Sequence, residues 1–250
     1  MSYAVCIVSV APIRKEPSHK SEMVSQLLCL ESVQIVDTAF NFVKVKCLYD
    51  GYEGWCQYSQ LLALDYLPET TGWHQLPLNE MLINQLSIRV SIGTPWHNKD
   101  IELPNTNISF NSQSYSAPYS FTEENIKKIS TAFLGTPYLW GGKSIFGIDC
   151  SGFTQQVFKL MNIQLPRDAY QQAALGYNIG FLEEAKCGDL AFFDNEDGYI
   201  THVGILLNAN TIIHASGYVR IDTIDNMGII SPSQTQASRS HQLRLIKGFH

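Results

Sequence analysis

The chain has 250 residues, ample for one large core or for a core with one or two small domains. An apolar fraction of 45% is ordinary for a globular protein, and a net charge of −6 without a basic cluster argues against a nucleic-acid partner. No run approaches the roughly 20 consecutive apolar residues that a membrane-crossing helix needs, so no membrane partner is expected.

The opening MSYAVCIVSVAPIRKEP has no basic n-region, and its apolar run merges into the first strand pattern. It does not read as a signal peptide, and a cytoplasmic location is expected. Residues 1–65 show no helical pattern. Short β-rich runs at Ala4–Val10, Val33–Asp37, Phe42–Leu48 and Gly54–Tyr58, punctuated by Pro, Gly and Asp, predict a small β-barrel. Residues 66–120 read as a linker with a second, degenerate β-unit, and a plain linker is the alternative. That unit would use Leu86–Ile92 and Ile101–Phe110, with GTPWHNKD as a turn between them. Asn, Ser and Thr crowd Asn105–Ser116, which reads as loop. His74 and His97 are read as packed or exposed side chains without a catalytic role.

A third segment, 121–250, opens on a helix. Thr122 can cap it, Glu123 and Glu124 suit its first turn, and Phe121 with Ile126 fits a hydrophobic staple. Ile126, Ile129 and Phe133 form its buried stripe, and Gly135 ends it. Asp189–Phe193 reads as a strand, so helices precede a sheet, an order that suits an α+β core.

Between these lies Asp149-Cys150-Ser151-Gly152. Phe153, Val157, Leu160 and Met161 fall at i, i+4, i+7 and i+8, the stripe of a helix running to about Asn162, with Asp149 or Ser151 as its cap. A cysteine at a helix start feels the partial positive charge of unpaired N–H groups. These lower its pKa and can hold a developing oxyanion. Upstream, the glycines of Thr136-Pro137-Tyr138-Leu139-Trp140-Gly141-Gly142 would let backbone come close to the thiol or a substrate.

The thiol needs an imidazole, and two are available on a predicted strand pair. Ile200–Leu207 places His202, Gly204 and Leu206 on one face, and Thr211–Ser216 places Ile212, His214 and Ser216 on one face. Both histidines share a face only if the hairpin loop has an odd number of residues. A loop at 208–210 would leave them diagonal, roughly 7–8 Å apart between Cα atoms, and one at 207–209 would set them opposite. A two-residue loop would break the site. On residues alone the pattern reads as a cysteine hydrolase. The other cysteines (Cys6, Cys29, Cys47, Cys56 and Cys187) have no C-x-x-C spacing and read as reduced, mostly buried thiols. No metal or cofactor is expected.

PYLWGGKSIFGIDCSGFTQQVF, LPRDAYQQA, CGDLAFF, THVGILL and IIHASG, in this order, resemble the motifs of NlpC-type cysteine peptidases, papain-like enzymes acting on bacterial cell-wall peptides. The resemblance implies an α+β, papain-like domain over 121–250. It implies Cys150 as nucleophile, His202 as general base and His214 as the residue orienting it. It also places Tyr138 beside the oxyanion, with Asp149 and Ser151 lining the substrate side of the nucleophile.

APIRKEPSHKSEMVSQLL and FVKVKCLYDGYEGWCQYSQL resemble a bacterial SH3-like domain, which would make residues 1–65 an SH3-like β-barrel. In NlpC-type enzymes of this order the barrel helps recognise the free N-terminus of an L-Ala-γ-D-Glu-diamino acid peptide. The resemblance points to Tyr52, and less strongly to Glu53, as substrate-binding residues, and Asp149 could supply charge for the ammonium. The barrel would wall off one end of the cleft; a purely structural appendage is the alternative. The implied activity is hydrolysis of the γ-D-glutamyl-L-diamino acid bond of a small murein peptide in cell-wall recycling. An amidase or acyltransferase on the same site, or a non-catalytic wall-peptide binding module, are the other readings. Arg167, Arg220 and Arg239 are possible partners for a substrate carboxylate.

Overall fold

Alternating apolar residues in the first 64 positions build one antiparallel sheet of seven strands in a computed structural model that describes residues 2–97, 100–103, 105–110, 118–230 and 239–250. The strands are β1 (Ser2–Cys6), β2 (Val10–Arg14), β3 (Met23–Leu28), β4 (Ser32–Ala39), β5 (Phe42–Cys47), β6 (Glu53–Gln57) and β7 (Leu61–Leu64), in the order β3-β2-β6-β5-β4-β1-β7. Ala4, Cys6, Ala11, Ile13, Leu27, Val33, Val43, Val45 and Cys56 fill its interior. Two expectations need correction. The run Ala4–Val10 is not one strand: the chain turns between Cys6 and Val10 without a glycine or proline to signal it. β2 and β3 were not expected, and β2 contains Pro12, which has no N–H to give a neighbouring strand. β2 meets β6 only at Arg14↔Trp55, so the missing N–H is tolerated there.

Residues 72–110 add β8 (Gly72–Trp73), β9 (Leu78–Ile83), β10 (Leu86–Ser91), β11 (Pro95–Trp96), β12 (Ile101–Leu103) and β13 (Thr106–Phe110). β10-β9-β13-β12 form one sheet, and β8 with β11 forms a ribbon. Asn84 and Gln85 both have positive φ, 50° and 67°, as a tight hairpin between β9 and β10 requires. Ile101–Phe110 is therefore not a single strand. Thr106–Phe110 is strand where loop was expected, because Ile108 is buried and the segment pairs on both sides. The rest of the expected loop, 111–117, and residues 98–99 of the expected GTPWHNKD turn lie outside the described residues. Val5, Cys29, Leu30, Leu64, Met81, Val90 and Ile108 form one core, so the two sheets share an interior.

This first unit comprises Met1–Pro118 and also Leu139–Gly147, so a cut at 121 does not separate the units. Lys143, in β14 (Lys143–Ser144), is buried with its ammonium 3.0 and 3.3 Å from the carboxylate oxygens of buried Glu31, and its N–H donates to Gln26 Oε1 at 2.8 Å. Trp140 Nε1 donates to Glu22 at 2.8 Å, and the N–H of Ile145 donates to Ser91 Oγ at 3.1 Å.

The second unit comprises Tyr119–Tyr138 and Ile148–His250. Its first helix, α1 (Glu123–Thr131), is capped by Thr122, which accepts from the N–H of Asn125. Ile126, Ile129 and Phe133 are buried, and Gly135 follows with φ +81°. β15 (Gly147–Ile148) leads into α2 (Cys150–Leu160), and α3 (Ala169–Gln172) follows. All residues of α2 are buried, where a single apolar stripe was expected. Two of its polar side chains find partners in the segment around α3: Thr154 Oγ1 donates to Gln172 Oε1 at 2.7 Å and Gln155 Nε2 to the Leu165 carbonyl at 3.0 Å.

The sheet of this unit has β16 (Tyr177–Ile179), β17 (Leu190–Asp194), β18 (Ile200–Asn208), β19 (Thr211–Ser216), β20 (Tyr218–Asp225), β21 (Gly228–Ile230) and β22 (Arg239–Gly248), in the order β16-β22-β17-β18-β19-β20-β21. β21 also pairs with β22, so the sheet closes on itself. Ala191, Phe193, Leu206, Ile212, Ile224 and Ile229 fill its interior, while α2 packs on β18 and β19. Among the described residues no helix is long and apolar enough to cross a membrane.

Candidate active site

Cys150 is the first residue of α2, with Asp149 as N-cap: the Asp149 carboxylate accepts from the N–H of Gly152 at 2.7 Å. The thiol sits against β18, its sulfur 4.0 Å from the carbonyl of Thr201, the residue before His202. The helix start was expected to make the thiol acidic. Here burial pushes it up instead, to about 12, with the Asp149 charge adding to the effect; a backbone hydrogen bond from Val203, the Arg167 charge and the Ser151 N–H offset only part. His202 is pushed well below its ordinary value by burial and then by the neighbouring His241, His214 and Arg220. Burial thus favours the neutral form of both the thiol and the imidazole.

The two histidines meet as their shared face requires. His202 Nε2 lies 2.8 Å from His214 Nδ1, both residues buried. The hairpin achieves this in a way that simple counting excludes. Its loop holds only Ala209 and Asn210, with Asn208 paired to Thr211. A bulge between Leu206 and Asn208 takes up Leu207, so Ile205 pairs with Ile213 and Leu206 with Ile212. The bulge restores the parity that a two-residue loop would have lost. The histidines end as diagonal neighbours, with Gly204 opposite His214.

Sequence reading missed two members of the cluster. Asp222 on β20 has Oδ2 2.9 Å from His214 Nε2 and accepts from Arg220 Nε at 2.8 Å. His214 pairs with Arg220 and Ile212 with Asp222 across β19 and β20, so all four face the same way. The signal was the alternation in Tyr218–Asp225, visible only once that strand is assigned. His241 on β22 lies over the His202 ring. Arg220 and Arg239 are already engaged: Arg220 with Asp222 and the Ser216 carbonyl, Arg239 with Asp225.

Arg167, another sequence candidate, is buried and forks onto Asp149, Nη1 to Oδ1 at 3.0 Å and Nη2 to Oδ2 at 2.6 Å, with Nη1 also 3.0 Å from Ser151 Oγ. Asp149 and Ser151 thus hold the helix start and the Arg167 guanidinium. Tyr138 bridges to Ile148 beside the thiol; burial and then the Cys150 and Asp149 charges hold its phenol above its ordinary range, so it is a neutral donor. Tyr52 and Glu53 belong to the first unit. Tyr52 is half-buried against the barrel core, and the Glu53 carboxylate pairs with Lys44 at 3.4 Å and Lys46 at 4.0 Å. Among the described residues no group of three or more His, Cys, Asp or Glu is placed to hold a metal ion.

A thiol at a helix N-terminus, set against the antiparallel strand that carries one of two paired histidines, is the arrangement of an α+β cysteine peptidase. Residues 135–239 match the NlpC/P60 family, and residues 13–61 match the bacterial dipeptidyl-peptidase Sh3 domain. The chain carries an NlpC/P60 cysteine peptidase domain preceded by a bacterial SH3 domain. It is 45% identical over 96 residues to the gamma-D-glutamyl-L-lysine dipeptidyl-peptidase of Bacillus subtilis, a match covering 38% of this chain and 32% of that protein. Against dipeptidyl-peptidase 6 of Lysinibacillus sphaericus it is 27% identical, over 89% of this chain and 92% of that one. The crystal structure of an NlpC/P60 family protein from Bacillus cereus shares the fold, with a TM-score of 0.82 at 22% identity over 98% of this chain and 99% of the other.

Proposed function

We propose that the protein is a cysteine endopeptidase that hydrolyses the γ-D-glutamyl-L-diamino acid bond of short murein peptides carrying a free N-terminal L-Ala, and that it serves cell-wall peptide recycling in the cytoplasm. The observation that carries this reading is the 2.8 Å pairing of His214 with His202, which stands on the strand against which the Cys150 thiol rests. The names of the relatives, a gamma-D-glutamyl-L-lysine dipeptidyl-peptidase and a dipeptidyl-peptidase 6, support the substrate class.

Cys150 gives its proton to His202 as its sulfur attacks the γ-carbonyl of D-Glu. This is a general-base route. The Cys150 N–H and the Tyr138 phenol hold the oxyanion. His202 then protonates the leaving amine as the C–N bond breaks, and afterwards activates the water that hydrolyses the thioester. Tyr52 of the barrel is the candidate for the amine end of the peptide, on its sequence resemblance. Glu53 is the weaker one, since Lys44 and Lys46 already hold its carboxylate. Asp149, committed to Arg167, is a poorer counter-charge for an ammonium than the sequence suggests.

The test is mass spectrometry of L-Ala-γ-D-Glu-L-Lys and its meso-diaminopimelate counterpart, free and N-acetylated, with wild type and Cys150→Ala. Cleavage of only the free peptides, lost in Cys150→Ala, is expected. Cleavage of both forms would remove the amine requirement and with it the role of Tyr52. No cleavage by a reactive thiol would favour an amidase or acyltransferase.

A further inference from the structure

The proton positions along the histidine pair follow from what lies at its far end. An ionised carboxylate only accepts hydrogen bonds, so Asp222, 2.9 Å from His214 Nε2, requires a proton on that nitrogen. Burial alone would raise Asp222, but the hydrogen bonds from His214 and Arg220, and their charges, hold it below its ordinary value, so it is ionised at neutral pH. Burial keeps His214 neutral, and a neutral imidazole protonated at Nε2 has a lone pair at Nδ1. That lone pair faces His202 Nε2 at 2.8 Å, so His202 donates from Nε2 and its Nδ1 carries no proton.

We propose that Asp222 is a positioning residue which, acting through His214, fixes His202 in the tautomer whose Nδ1 is open to take the Cys150 proton. Arg220 completes the device: its Nε donates to the same Asp222 oxygen at 2.8 Å, which weakens that oxygen as a proton acceptor and leaves the proton on His214. When the thiol proton moves to His202 Nδ1, the imidazolium is stabilised by the oriented His214 lone pair, and no second proton moves. The groups that face this relay are His202 on β18, His214 on β19, Arg220 and Asp222 on β20 and His241 on β22. Cys150 on α2 is next to Asp149, Arg167 and Tyr138.

The inference rests on the Cys-His-His reading of the site, so its test does not depend on the peptide. In ¹⁵N-histidine NMR of the full wild-type chain, His202 and His214 should both be protonated at Nε2. A proton on Nδ1 of either would overturn the proposal, and this holds whether or not any variant folds. In parallel, the rate of Cys150 alkylation by iodoacetamide is measured against pH. Asp222→Ala should slow alkylation and move its acid limb to lower pH, because the imidazolium has lost its remote carboxylate. Asp222→Asn, which can keep an oxygen in place, should recover most of the rate. On a cleaved peptide, Asp222→Ala should cost about 10- to 100-fold in kcat with KM unchanged, below the ~10²–10⁴-fold worth of a general base itself. Superimposable profiles for wild type and Asp222→Ala would overturn it. Normal alkylation without cleavage of any murein peptide would sink the proposed substrate and leave the relay standing.

Discussion

His241 lies flat on His202, ring centroids 4.1 Å apart and planes 25° from parallel, while His214 meets the same ring edge-on at 83°. The edge contact fixes where Nε2 points and the stack fixes the plane of the ring, so together they leave it little freedom. Burial, and then the charges of His214 and Arg220, lower His241 to about 4, so it is neutral in the range where His202 must accept a proton. His241→Ala should lower kcat about 2- to 10-fold, the worth of one aromatic stacking contact, with KM unchanged. His241→Phe, which keeps a flat ring, should recover most of it. Equal loss in both variants in steady-state assays would argue against the stack.

Acid should destabilise the fold well before its carboxylates titrate. His74, His97, His202, His214 and His241 are all held below their ordinary value, chiefly by burial. A depressed pKa means that below about 6.5 the unfolded chain binds protons that the folded chain refuses. Stability is thus full above that pH and falls as pH drops toward the folded value. For His74, lowered to about 4, the loss is on the order of 3 kcal/mol by pH 4. Thermal melts at pH 7.5, 6, 5 and 4 should show Tm steady at first and then dropping. His74→Phe should make the drop shallower, and a flat Tm down to pH 4 in wild type would refute the account.

The pieces of the candidate site that could be read in the sequence are those whose signals are local. Asp149-Cys150 carries its own cap signal, and His202 and His214 lie on strands whose alternation is plain. The Leu207 bulge was not legible: a β-bulge leaves no mark in an apolar strand, and only the requirement that both histidines share a face hints at it. Asp222 and His241 were hidden because they join the site by strand pairing, from β20 and β22, and a single sequence does not encode which strands pair. Arg167 shows the opposite limit. A lone basic residue invites a substrate role, and only the folded chain reveals the carboxylate it already holds. The segment Leu139–Gly147 sits between site motifs in sequence yet folds with the first unit, through the burial of Lys143 on Glu31.

The Asp149–Arg167 pair should be a strong stability determinant. Arg167→Met would leave a buried carboxylate next to the thiol without its guanidinium, while the Gly152 N–H and Ser151 hydroxyl still donate to it. Removing one partner of such a pair costs about 3–5 kcal/mol, and Arg167→Lys should recover little because a single ammonium cannot reproduce the fork. Urea unfolding of the three proteins measures this directly. A loss under about 1 kcal/mol for Arg167→Met would show that Asp149 is served by other contacts.

Gly204 ties the hairpin register to catalysis. A Cβ there would lie 2.7 Å from Ile212 Cδ1 and 2.9 Å from His214 Cβ, both closer than real side-chain contacts. The residue has ordinary strand backbone, so the constraint is the space that His214 occupies, not the backbone angles. Gly204→Ala must push His214 outward or spread β18 from β19, at a cost of about 1–3 kcal/mol typical of overpacking. The same shift lengthens the 2.8 Å contact from His202, so activity should fall with stability. The two effects separate in Gly204→Ala with Ile212→Val. Removing Ile212 Cδ1 relieves the closest clash and should restore part of the melting temperature, while Ile212 Cγ1 and His214 Cβ, both at 2.9 Å, still press on the new methyl and kcat stays low. Recovery of both together would mean that Ile212 alone carries the strain and that His214 is free to adjust without loss of function.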